Sequence, residues 1–262
     1  MIGVGDEILA AGQAQRHFDR TGERSYIVDR HNKARWHPIW EGNPVLVHPD
    51  RHMDPGTRLN RIVNGPHARP YIVYPFTAES GWTFNRAFRA RDHLARIYLT
   101  PEEHALGVLT RATVGPYILI EPWSKHPNLR WPLEHWADLI RARADLTFVQ
   151  HVHADAPWLQ GPNVHHVPAT FRQACALVAH AQVYIRGESG LLHAAAALSV
   201  PAIALWGGCM DWDVLGGYPH EVGLGITTPP CGRWLPCAHC VETMRAIRVA
   251  DVLAALEQIG VE

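Results

Sequence analysis

The sequence predicts an α/β protein of two doubly wound parallel-sheet domains facing a cleft, and three observations lead there. From residue 115 onward, short apolar strands alternate regularly with helical patterns, which implies parallel sheets covered on both faces. One strand, 183–187, ends in glycine and runs directly into an alanine-rich helix. The pattern resets around 111–116, dividing the chain into 1–112 and 113–262.

The elements follow in order. Residues 6–20 carry apolar positions at Ile8, Leu9, Ala11 and Ala14, a helix opened by Asp6 and Glu7. Short β-rich runs occupy 25–29, 43–48 and 69–76, and a helical stretch is expected near 84–97. Thr100, Pro101 and Glu103 make a helix start. Thereafter the pattern predicts strands at 115–122, 146–152, 183–187 and 201–207, and helices at 132–144, 171–181, 189–200 and 249–260. Trp131 and Trp136 read as packing residues rather than a sugar platform.

Composition narrows the function classes. Across 262 residues, 47% are hydrophobic and 19% charged, an ordinary folded chain. Net charge is −1 with Lys and Arg scattered, which disfavours a nucleic-acid backbone as main partner. No apolar run approaches the roughly 18 to 20 residues of a membrane span, and the N-terminus lacks a signal-peptide pattern, so a cytoplasmic protein is expected.

The segment from Val183 to Leu198 carries the chemistry. A strand ending at Gly187, then Glu188, Ser189 and Gly190, then a helix, places free backbone N–H groups and a positive helix end at the carboxyl edge of a parallel sheet. The glycines permit a tight turn and close approach of a diphosphate. Ser189 either caps the helix or binds a phosphate oxygen, and His193 lies one turn in. A plain structural junction remains open at this point.

The run GESGLLHAAAALSVPAIALWGG (187–208) resembles the C-terminal signature of glycosyltransferase family 9, the ADP-heptose:lipopolysaccharide heptosyltransferases. Four further segments fall in the family's order: the glycine loop Gly3 to Ala10, residues 97–105, the strand, loop and Trp-Pro helix start at 121–140, and the Cys-rich segment with closing helix at 230–256. The resemblance implies a GT-B fold of two Rossmann-like domains, the acceptor mainly on the first, although the N-terminal domain here is shortened against the family's pattern. It further implies inverting transfer from a nucleotide sugar, ADP-linked by the family's habit, without an obligatory divalent metal. Asp6 would be the general base, with Gly5 and Glu7 on the acceptor side. Gly187, Glu188, Ser189, Gly190, Leu191 and His193 would hold the donor, with Lys125 or Arg130 as the cation facing the diphosphate. The family's lysine falls at Leu129, beside Arg130. Glu188 stands where the family has aspartate, so the donor sugar stays open. So does the acceptor, be it a glycan, a protein or a nucleic-acid base, and a non-catalytic donor-binding subunit is the competing class.

Cys209, Cys231, Cys237 and Cys240 lie in the last quarter of the chain, spaced to assemble a structural zinc or iron site or to remain buried thiols. His239 is a substitute ligand within this set. His151, His153 and Asp155 resemble a metal pattern only when read alone.

Overall fold

A computed structural model describes residues 3–51, 58–77, 80–152 and 156–261. The chain begins with α1 (Val4–Thr21). Next come β1 (Ser25–Val28) and β2 (Asn60–Val63), which pair in parallel. The short strands β3 (Ile72–Val73) and β4 (Thr83–Phe84) pair antiparallel. Then follow α2 (Pro101–Val114), β5 (Ile118–Ile120), α3 (Leu133–Ala142), β6 (Phe148–Val152), β7 (Val164–Pro168), α4 (Phe171–His180), β8 (Val183–Gly187) and α5 (Gly190–Ala197). The chain closes with β9 (Ala202–Leu205), α6 (Trp212–Leu215), β10 (Glu221–Leu224), α7 (Ala238–Ala246) and α8 (Val249–Ile259).

Six strands form one parallel sheet in the order β10-β9-β8-β5-β6-β7. Numbered from β5, this is the doubly wound order in which the chain starts at the centre and winds outward twice. Side-chain alternation shows why both faces are covered. Ile118, Ile120, Val183, Ile185, Ile203 and Leu205 face a core closed by α3 and α8. Tyr117, Leu119, Tyr184, Ala202 and Ala204 face the opposite core, shared with α4, α5 and α1. Trp131 and Trp136 are buried in the first of these cores, as packing residues.

The second core runs on into the N-terminal half through Ile8, Leu9, Ile27 and Trp40, so α1 packs on α5. The α2 helix starts with the expected capping box: the Glu103 amide donates to Thr100 Oγ1 at 3.2 Å, and the Thr100 amide donates to Glu103 Oε2 at 2.9 Å. It packs on α4.

Several expectations need correction. The 43–48 run forms only an isolated bridge at Leu46, and 69–76 supplies just two strand residues. The helix expected at 84–97 is a single 3-10 turn, Ala90–Asp92. Phe88 instead stacks on His93 with ring centroids 4.8 Å apart, so its apolar spacing serves tertiary packing rather than a helix face. No described helix is long and apolar enough to cross a membrane.

Candidate functional site

The switch point of the sheet, between β5 and β8, is where ligands bind in open α/β folds. A cavity of about 620 Å³ opens there, lined by the loops after both strands, by the first turn of α1 and by the first turn of α5.

Two helix N-termini meet at this cavity. A Cβ added to Gly190 would lie 3.1 Å from the Gly5 amide nitrogen, and one added to Gly5 would lie 3.0 Å from His193 Cδ2. Glycine at both positions is what lets α1 and α5 approach so closely. Their unpaired first-turn amides and positive dipole ends face the same space, an arrangement suited to an anion. Ser189 caps α5, its Oγ accepting from the Leu192 amide at 3.2 Å, and also lines the cavity. Gly5, Glu188, Gly190, Leu191 and His193 line it as well. Glu188 Oε1 lies 3.4 Å from His193 Nε2, while His193 Nδ1 pairs with the Tyr218 hydroxyl at 2.7 Å.

Gly187 does not line the cavity. Its hydrogen stands where a Cβ would be 2.9 Å from the Leu129 carbonyl oxygen. Its glycine is therefore a packing requirement, set by the Pro127–Leu129 turn lying against β8.

Asp6 faces the cavity at the third position of α1 and is 8% exposed. Its carboxylate accepts from the Gly3 amide at 2.9 Å, from Arg69 Nε at 3.1 Å to both oxygens, and from the Tyr71 hydroxyl at 2.5 Å. Burial first, and the Asp6 carboxylate second, push the Tyr71 phenol well above its ordinary range, so it stays a donor. Glu7 departs from its expected acceptor-side role. It is 2% exposed, points away from the cavity, and is held by Arg35 and by Asn64 Nδ2 at 2.7 Å. Burial outweighs both partners and pushes its carboxyl up to about 7.

Of the two basic candidates, Lys125 lines the cavity from an exposed position. Arg130 does not. Its guanidinium lies 3.6 Å over the Trp123 ring, and its Nε donates to the Ser124 carbonyl at 2.7 Å.

The cavity wall also carries a charge network, Glu121, His151 and Arg186, that sequence reading missed. Arg186 Nη1 pairs with Glu121 Oε2 at 2.9 Å, the Tyr184 hydroxyl donates to the same oxygen at 3.0 Å, and His151 Nδ1 lies 3.9 Å from Glu121 Oε1. Burial alone would raise Glu121, but Arg186, His151 and Tyr184 hold it below its usual range. His151 also contacts the Ala169 carbonyl at 3.1 Å, so it belongs to this network; His153 and Asp155 lie outside the described residues. The one signal in the sequence for this pair was charge at the ends of otherwise apolar strands.

In the segment that also carries the cavity-lining Trp234, the ligand atoms of Cys231, Cys237, His239 and Cys240 all lie within 4.8 Å of one another. The expected set is corrected in one member. Cys209 is outside this group and its Sγ faces the Arg233 carbonyl at 3.5 Å, while His239 is inside it.

Comparison with known proteins agrees with this architecture. Residues 162–212 match Glycosyltransferase family 9 (heptosyltransferase). No curated protein matches the chain. Among solved structures, a glycosyl transferase family 9 protein from Veillonella parvula DSM 2008 aligns over 98% of this chain and 94% of its own, at 13% identity and a TM-score of 0.64. The iron-containing dodecameric glycosyltransferase TibC from enterotoxigenic E. coli H10407 aligns over 98% of this chain and 74% of its own, at 16% identity and a TM-score of 0.61. E. coli ADP-heptose lps heptosyltransferase II aligns over 65% of this chain at 21% identity and a TM-score of 0.50, and the chain spans only 56% of that protein. The sheet order, the cleft between two N-terminal helix turns and these matches together identify the chain as a GT-B protein that resembles glycosyltransferase family 9.

Proposed function

We propose that the chain is an inverting glycosyltransferase that moves a sugar from a nucleoside diphosphate, adenosine diphosphate by family resemblance, to an acceptor hydroxyl. The observation that carries this reading is the meeting of the α1 and α5 N-termini at one cavity that also holds Asp6 and Lys125. The acceptor oxygen attacks the anomeric carbon from the face opposite the leaving group. As that bond forms, the bond from the anomeric carbon to the diphosphate oxygen breaks, and its electron pair leaves with the nucleotide. Asp6 takes the acceptor's proton. The helix N-termini and Lys125 stabilise the charge that develops on the diphosphate, a role that needs no divalent ion. Glu188 and His193, in contact with each other, face the sugar. The chain divides in this reading into an acceptor side, 1–112, and a donor side, 113–262.

One observation favours a second reading, a donor-binding subunit without turnover: three donors already converge on the Asp6 carboxylate. Incubating the protein with a panel of nucleotide sugars and candidate acceptors, with mass detection of the product and the released nucleotide, separates the two. Transfer to an added hydroxyl supports the enzyme. Calorimetric nucleotide binding with no product across the panel supports the subunit. No binding of any nucleotide defeats both.

A further inference from the structure

The loop between β10 and α7 is held at its middle by Asn128, whose Nδ2 donates to the Arg233 and Leu235 carbonyls, both at 2.9 Å. Trp234 and Leu235 are 43% and 55% exposed, and residues 233–236 carry no regular structure. Yet four ligand-bearing side chains converge at its two ends. Cys231 arrives from a segment pinned by its own amide to the Gly208 carbonyl at 2.8 Å and by the Gly232 amide to the Cys209 carbonyl at 2.9 Å. Cys237, His239 and Cys240 come from the start of α7, where Cys237 is the N-cap. The Cys237 amide donates to Asn128 Oδ1 at 2.9 Å, which fixes that end against the 3-10 turn after β5. Gly208 lies so close to His239 that a Cβ there would sit 2.5 Å from the ring, so the imidazole is backed by main chain.

We propose that Cys231, Cys237, His239 and Cys240 bind one zinc ion in a closed, four-coordinate structural site. Three thiolates and one imidazole are the donor set that zinc takes tetrahedrally, with no position left for a substrate. As the N-cap of α7, Cys237 places its thiol at the positive end of that helix. The ion adds to the loop's hydrogen bonds by closing the irregular segment at both ends, as metals do where too little core is available. Its position gives it reach. The same loop carries Trp234, which lines the cavity and packs edge-on against Trp82 at 4.5 Å. The Trp82 amide also donates to the Gly232 carbonyl at 2.8 Å, tying the metal loop to the N-terminal half. Cys209 stands beside the site but does not ligate.

Metal analysis of the full chain purified without added metal tests this, together with X-ray absorption at the zinc edge. About one zinc per chain in a shell of three sulfurs and one nitrogen is the expected result. Cys237→Ser and His239→Ala should each lower zinc content and weaken zinc retention against a chelator by at least about tenfold, whereas Cys209→Ser should leave both unchanged. The X-ray measurement uses wild-type protein alone, so it stands even if a variant misfolds. A shell of four sulfurs, zinc loss in Cys209→Ser, iron in place of zinc, a metal-free chain, or a disulfide joining Cys231 and Cys240 would each overturn the assignment.

Discussion

A side chain on Gly190 would begin 3.1 Å from the amide nitrogen of Gly5, so the first turns of two helices distant in sequence share one surface. Gly190→Ala must part them by a few tenths of an ångström, and the new methyl also meets the Phe171 ring at 3.3 Å. We expect nucleotide affinity to fall about tenfold, or ~1.4 kcal/mol, by calorimetry, with a loss of thermal stability smaller than core overpacking causes. Unchanged affinity would mean that the two helix ends do not act on one ligand.

Asp6→Asn preserves size and an acceptor oxygen for the Gly3 amide but removes the base. If Asp6 takes the acceptor's proton, turnover should fall about 10²- to 10⁴-fold while nucleotide affinity changes little. Turnover within tenfold of wild type would assign the residue to positioning Arg69 and Tyr71 instead.

Glu7 adds a pH dependence to stability. Its folded value, about 7, lies above the ordinary 4.5, because burial outweighs Arg35 and Asn64. A raised carboxyl favours the folded state fully below 4.5, and that contribution is lost as pH rises through about 7. Its upper size is on the order of 3 kcal/mol. Urea midpoints measured from pH 4.5 to 8 should fall with rising pH more steeply in wild type than in Glu7→Gln. Parallel profiles would contradict the assignment.

The Glu121–Arg186 pair is buried at 2.9 Å. Arg186→Met leaves Glu121 without its cation and should cost about 3 to 5 kcal/mol in chemical denaturation. The double change Glu121→Leu with Arg186→Met should recover much of that loss, because the uncompensated charge is gone. An additive double variant would show that the two residues do not interact.

The legible part of this chain was the part whose burial is local in sequence. Strands β5, β8 and β9 are buried on both faces and read as apolar runs, and the Gly187–Gly190 turn marks the helix that follows β8. The edge strands β7 and β10 escaped notice, since histidines or a glycine replace an apolar run in half-buried positions. Site residues divided in the same way. Asp6, Glu188, Ser189 and His193 sit on helix starts with a recognisable pattern, and all reach the cavity. Arg69, Tyr71 and Arg186 owe their roles to partners far along the chain, such as the Arg69–Asp6 contact. Glu7 failed for a related reason: one helical step from Asp6 turns its side chain toward Arg35 and the opposite wall.

The order of the six strands has a kinetic consequence. β5 enters the sheet first in sequence, yet one of its flanks stays open until β8 arrives, after two strands and two helices have been made. The ligand cleft straddles that late seam, so it cannot exist in any partly folded form that lacks the β5–β8 pairing. Nascent chains that stop short of β8 should carry an unsatisfied strand edge and no affinity for nucleotide. Acquisition of ligand binding during refolding therefore reports the closing of this seam rather than the collapse of either half.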